Sequence, residues 1–183
     1  MARLVAGKGI NDLQDVSKLK SYAVWNTMLR RCYAPRGKDV VTYQGCFVCD
    51  EWLTYSVFKA WYDYHSVDGW GIDKDLYVEG NKEYRPDRCF FVPNALNALF
   101  TGPKSSTPGV YKHNRTSKPY EATLRVNSGD KRLQLGSYAT VEEASAAYQA
   151  AKADHVVKEL AKYRSEGVVS TVLLDAIEKR LGQ

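Results

Sequence analysis

The stretch from Thr107 to Arg164 limits what this chain can fold into more than any other part of it. Three short runs open it: Gly109-Val110-Tyr111-Lys112-His113, Tyr120 to Val126, and Lys131 to Tyr138. The runs alternate in polarity and are separated by turn signals, which predicts a three-stranded antiparallel meander. A long Ala-rich segment follows. Thr140 and Glu143 make a capping box at its start, so it reads as one helix. Ala144, Ala147, Ala151 and Val156 mark the face it turns to the sheet. Between Thr101 and Thr140, seven Lys and Arg stand against two acids, Glu121 and Asp130, a net +5 that equals the formal charge of the whole chain. A small sheet that carries the charge excess, with one face under a helix, is suited to lay its other face on a polyanion.

The rest of the composition is ordinary for a globular protein: 183 residues, 44% hydrophobic and 26% charged. That length holds one or two small domains with a real core. No run reaches the roughly 20 apolar residues that a bilayer span needs. Arg3 and Lys8 have no apolar core behind them, so no secretory signal is expected and the cytosol is the expected compartment. The four cysteines are then expected as reduced thiols.

Upstream, residues 1–18 are polar and without a period, and read as an N-terminal arm that a partner would order. Tyr22, Trp25, Met28, Leu29 and Cys32 stand at helical spacing over 19–33, and Ala34-Pro35-Arg36-Gly37 ends that helix. Val40 to Asp50 alternates and predicts a short strand pair. Leu53, Val57, Phe58 and Trp61 predict a second helix. Ile72 to Val78 and Arg88 to Val92 read as strands around the turn 79–82, and Pro93 opens a short helix over Asn94 to Phe100. Residues 102–108 form the clearest linker. Beyond residue 164, Ser170 predicts the cap of a last helix with Leu173, Leu174, Ile177 and Leu181 as its stripe.

Segment 109–164 resembles the AP2 DNA-binding domain, through its Gly109-Val110 start, its Leu135-Gly136-Ser137-Tyr138 exit and its Glu142-Glu143-Ala144 helix entry. The resemblance implies that the exposed sheet face enters the major groove of duplex DNA. Carried over by position, the outward residues are Tyr111, His113 and Arg115, then Thr123 and Arg125, then Arg132 and Gln134. Lys112 and Lys118 complete the candidate DNA-contact set. Alternation independently puts Thr123 with Arg125, and Arg132 with Gln134, on common faces. Arginine can read guanine and glutamine adenine. Tyr120 and Gln134 stand where larger aromatic contacts are expected, so the family's sequence preference does not transfer.

Residues 22–100 resemble the HNH homing-type endonucleases that accompany AP2 domains in phages. Trp25 to Tyr33 matches their first helix, and Val48-Cys49-Asp50-Glu51-Trp52 the approach to their second. The resemblance implies a ββα finger holding one divalent ion, with Mg²⁺ suited to hard oxygen ligands. Asp73 matches the metal ligand, Asn81 the residue that orients the base, and Asn97 the late ligand on the helix. Lys74 occupies the catalytic position of the general-base His. An unperturbed lysine, with a pKa near 10.4, is a poor base at neutral pH. His65 is the one candidate substitute. A structural Zn²⁺ on Cys46 and Cys49 with Cys32 and Cys89 is a further reading, set against small buried thiols.

The expected fold is therefore α+β: arm 1–18, HNH-like ββα finger with flanking helices over 19–101, linker 102–108, AP2-like sheet and helix 109–164, and C-terminal helix 165–183. The expected function is binding of double-stranded DNA, of phage or mobile-element type, with nuclease activity weak or lost. An active metal-dependent endonuclease or nickase is the alternative. A phage protein that acts on a host protein is the second.

Overall fold

A computed structural model describes residues 4–100, 105–114, 117–126 and 132–181. The fold is mixed α and β, and it divides into two compact units, Met1–Pro93 and Asn94–Gln183. The division falls ahead of the linker expected at 102–108, whose first three residues lie outside the described set. No described helix is long and apolar enough to cross a membrane.

In the first unit, α1 (Lys20–Tyr33) and α3 (Tyr55–His65) pack through their apolar stripes, with a short 3-10 turn at Asp50–Leu53 beside α3. Trp25, Leu29, Tyr55 and Phe58 are fully buried there, and Trp52 nearly so. The polar atoms of Trp25 and Tyr55 are answered inside the core. Trp25 Nε1 donates to the Trp52 carbonyl at 2.7 Å, and the Ser21 and Tyr55 hydroxyls lie 2.7 Å apart. Such pairing removes the penalty of burying a polar group.

The N-terminal residues are part of this core, which corrects their reading as an arm awaiting a partner. Val16 is 5% exposed. Ile10 bridges Thr54, donating to the Leu53 carbonyl and accepting from Tyr55 N. Asp12 Oδ1 accepts from Ser56 N at 2.9 Å, in the first turn of α3, and hydrogen bonding from the Ser56 side chain, aided by this backbone bond, holds its pKa below the usual carboxylate value. Gly9 is required by contact: a Cβ there would lie 2.3 Å from Leu29 Cδ1.

Two further expectations fail. Val40 to Asp50 forms no local strand pair. It supplies the short helix α2 (Asp39–Thr42) and then β1 (Phe47–Val48), which pairs in parallel with β3 (Glu83–Tyr84). The strand expected over Ile72 to Val78 ends at Asp73. What remains, β2 (Gly71–Asp73), pairs antiparallel with β4 (Phe90–Val92).

The second unit begins with α4 (Asn94–Phe100), as the Pro93 signal predicts. The antiparallel sheet follows, β5 (Val110–Lys112), β6 (Tyr120–Arg125) and β7 (Arg132–Tyr138), in the order β5-β6-β7. The helix α5 (Val141–Glu166) packs on all three strands. Its capping box is complete: Glu143 N donates to Thr140 Oγ1 at 3.2 Å, and Thr140 N to Glu143 Oε2 at 3.3 Å. Ala144 and Val156 are buried as expected, while Ala147 and Ala151 are half-buried and Tyr148, Leu160 and Tyr163 bury more side chain. Close approach of sheet and helix also explains Gly109. Its φ is +70°, and a Cβ would fall 2.3 Å from the Tyr148 ring. Finally α6 (Thr171–Arg180) packs on α5 with Leu173, Leu174 and Ile177 fully buried. Ser170 stands at its N-cap without a side-chain capping bond.

Candidate functional site

The side chains of β6 divide by alternation. Ala122 and Leu124 are buried, on the face that α5 covers, at 0% and 5% exposure. Glu121, Thr123 and Arg125 point the other way. On β5, Tyr111 pairs with Glu121 in register, and on β7 Gln134 pairs with Thr123 and Arg132 with Arg125. A register shift between Ala122 and Thr123 leaves Leu135 as an extra residue on β7, and this bulge carries the alternation of β7 past Gly136.

On this face an open concavity of about 610 Å³ is lined by Tyr111, His113, Glu121, Thr123, Arg132, Leu133 and Gln134, with Arg125 outside it. Arg125 and Arg132 are both exposed and stand directly opposite one another. Like charges in that position repel across the strands. The Arg132 guanidinium lies 5.6 Å from the centre of the Tyr111 ring. Glu121 is the acid among them. Its Oε2 is 3.0 Å from His113 Nε2, and its Oε1 accepts from Gln134 Nε2 at 3.4 Å.

The structure thus gathers Tyr111, His113, Arg125, Arg132 and Gln134 on one face, with Thr123 on the same face but buried, at 8% exposure. Lys112 and Lys118 lie elsewhere. Alternation takes Lys112 off the Tyr111 face, and its Nζ sits 5.8 Å from the Tyr120 ring centre. Lys118 lines a separate hollow with Tyr138 and Glu143. Arg115 lies outside the described residues. Glu121 is the residue that sequence reasoning undervalued, by counting it only against the charge. The signal was present: Glu121, Thr123 and Arg125 are spaced by two.

In the first unit the finger residues are inward. Lys74 is 6% and Asn81 7% exposed. Lys74 Nζ donates to the Asn81 carbonyl at 2.6 Å and to Asp75 Oδ1 at 2.5 Å. Asn81 Nδ2 donates in return to the Lys74 carbonyl at 2.9 Å and to the Glu83 carbonyl at 2.7 Å, while its Oδ1 accepts from Glu83 N. Each residue holds the other's backbone, and the two close the loop between β2 and β3. Asp73 Oδ1 accepts from Asp75 N and Leu76 N, both at 2.7 Å. Burial raises its pKa nonetheless, against the lowering effect of those two bonds.

Asn97 is half-buried on α4, in the second unit. His65 is the last residue of α3, not a loop residue. Its Nδ1 is 2.8 Å from the Trp61 carbonyl and its ring stacks on Trp61. Cys46, Cys49 and Cys89 are buried and Cys32 is half-buried, all as free thiols. Burial pushes Cys32 and Cys89 up to about 12 and Cys49 to about 11, which keeps them protonated at neutral pH. Among the described residues no group of three or more His, Cys, Asp and Glu is placed to hold a metal ion. Of the oxygens a divalent ion would take there, Asp73 Oδ1 already accepts two backbone N–H groups and Asn81 Oδ1 accepts one from Glu83 N.

Comparison with known protein families, with curated proteins and with solved structures gave no match.

Proposed function

We propose that this chain binds double-stranded DNA through the sheet face that α5 leaves bare, as an AP2-like domain does, and that the first unit is an HNH-like finger kept as a scaffold. The observation that carries the reading is the pair Arg125 and Arg132, exposed and opposite each other on that face. Their mutual repulsion is relieved by an anion, and a row of phosphates supplies one. Phosphate contacts give most of the affinity and groove contacts any base preference. The scaffold half of the reading is supported by Lys74 and Asn81, whose side chains serve the loop rather than a reacting water. Nuclease activity is accordingly weak or lost.

Titration of the full chain with duplex DNA across a salt series tests the first half. Binding should weaken steeply with salt, with a log–log slope of about −0.9 per phosphate neutralised. Undetectable binding at low salt by folded protein sinks the reading. Incubation with supercoiled plasmid and Mg²⁺ or Mn²⁺ tests the second half, and rapid nicking would restore the endonuclease reading.

A further inference from the structure

A carboxylate in a phosphate-binding face is an electrostatic burden, so the position of Glu121 asks for a reason. The groups around it are mostly donors: the Arg132 guanidinium, the Gln134 amide nitrogen and the His113 ring. The Tyr111 and Thr123 hydroxyls can act either way. Glu121 is the one group of this concavity that, when ionised, can only accept. It is also fixed in place. Residues from both flanking strands reach it, His113 from beyond β5 at 3.0 Å and Gln134 from β7 at 3.4 Å, and its side chain is 19% exposed. A carboxylate has about four lone-pair sites, so two protein partners leave acceptor capacity.

We propose that Glu121 is a base-reading residue that accepts a hydrogen bond from the exocyclic amino group of cytosine in the major groove. This rests on the DNA-binding reading above and deepens it. Within the major groove, guanine shows two acceptors and thymine an acceptor and a methyl group. Both repel a fixed carboxylate. Adenine offers an amino donor but sets an acceptor nitrogen beside it. Cytosine is the base whose own major-groove edge presents a donor and no acceptor. Arg132 stands two residues before Gln134 on the neighbouring strand, where a guanidinium can address guanine. The face should therefore select duplexes that carry a cytosine at one fixed distance from a guanine.

The test is selection of the full-length native chain on a randomised duplex library, followed by competition with defined duplexes. Glu121→Gln and Glu121→Ala are carried in parallel, with folding checked by circular dichroism. The expected result for the native chain is a cytosine preferred at one position by about 5- to 10-fold, the lower part of the range for one base contact. Glutamine can pair with adenine in bidentate fashion, so Glu121→Gln should move the preference at that position to adenine, and Glu121→Ala should erase it. Both variants should still bind. If both instead tighten binding equally on every sequence while the native preference is unchanged, Glu121 is only a charge on the face and the proposal is overturned. Absence of binding by the native chain on any duplex would overturn the DNA-binding reading itself, a different outcome from the first.

Discussion

Both units set basic side chains at or just beyond an antiparallel strand pair, and they use them in opposite ways. Lys74 follows β2 and is 6% exposed, its ammonium held by the Asn81 carbonyl and Asp75. Arg125 and Arg132 face each other across β6 and β7 and are exposed. The formal charges differ in the same sense. Residues 1–93 hold 13 Lys and Arg against 12 acids, and residues 94–183 hold 13 against 9. The units therefore differ less in how many cations they carry than in what faces those cations. An inward cation with its hydrogen bonds made is a structural element, whereas an outward pair of like charges is unfinished until an anion arrives.

The largest effect that separates the two is on stability in the first unit. Lys74→Met keeps the stem and removes the ammonium, which leaves the Asn81 carbonyl without its buried donor and Asp75 without its ion pair. Stability should fall by about 2–4 kcal/mol, given the cost of an unanswered buried polar group and of a broken, partly buried ion pair. DNA affinity per folded molecule should not change. Urea unfolding alongside a binding titration measures both. A variant as stable as the native chain would make Lys74 available for another role and remove half of the contrast. Lys74→His should lower stability for the same reason, since an imidazole cannot span both partners.

The next effect is the mirror image. Arg125→Ala and Arg132→Ala should each shift stability by no more than about 0.5 kcal/mol, because both side chains are exposed and their repulsion is relieved. Each should weaken DNA binding by about 1–3 kcal/mol at a preferred site if it reads guanine. Arg132 has a second contact, the Tyr111 ring, so its loss also frees that ring. If both variants unfold the sheet while sparing DNA affinity, the face assignment is inverted.

What the sequence made legible follows the same division between local and distant causes. The capping box at Thr140, the run Asn94 to Phe100 after Pro93 and the alternation of β6 are decided by neighbours within a few residues, and the structure keeps them. The pairing of β1 with β3 joins residues 47–48 to 83–84, and no local pattern announces two-residue parallel strands. The first residues lack a period because Val5 and Val16 pack against the core from irregular backbone, while Ile10, 47% exposed, is tied in by backbone bonds. Beta propensity favoured a strand through Val78, but the Asp73 carboxylate takes two backbone N–H groups and turns the chain. Within the candidate site, the spacing that groups Arg132 with Gln134 was readable, and so was that of Glu121. The depth of Thr123 was not, because alternation assigns a side chain its face and not how deeply it is buried.

The smallest effect distinguishes scaffold from metal site at one atom. Burial raises the pKa of Asp73 above the ordinary carboxylate value, so the folded state holds its proton more tightly than the unfolded chain does. The stability it contributes is then complete below the unfolded pKa and declines as pH rises through the raised one. At neutral pH the ionised carboxylate is a net burden, only partly offset by the N–H groups of Asp75 and Leu76. Asp73→Asn keeps an oxygen for those two donors and removes the charge. It should leave stability at pH 7 unchanged or raise it slightly, and it should flatten the decline that the native chain shows as pH rises through the raised Asp73 pKa. Thermal unfolding from pH 4 to 8, with and without Mg²⁺ or Mn²⁺, measures this. A divalent ion that raises the midpoint of the native chain and not of Asp73→Asn would show that Asp73 ligates it, and the inward residues of the first unit would then belong to a working site.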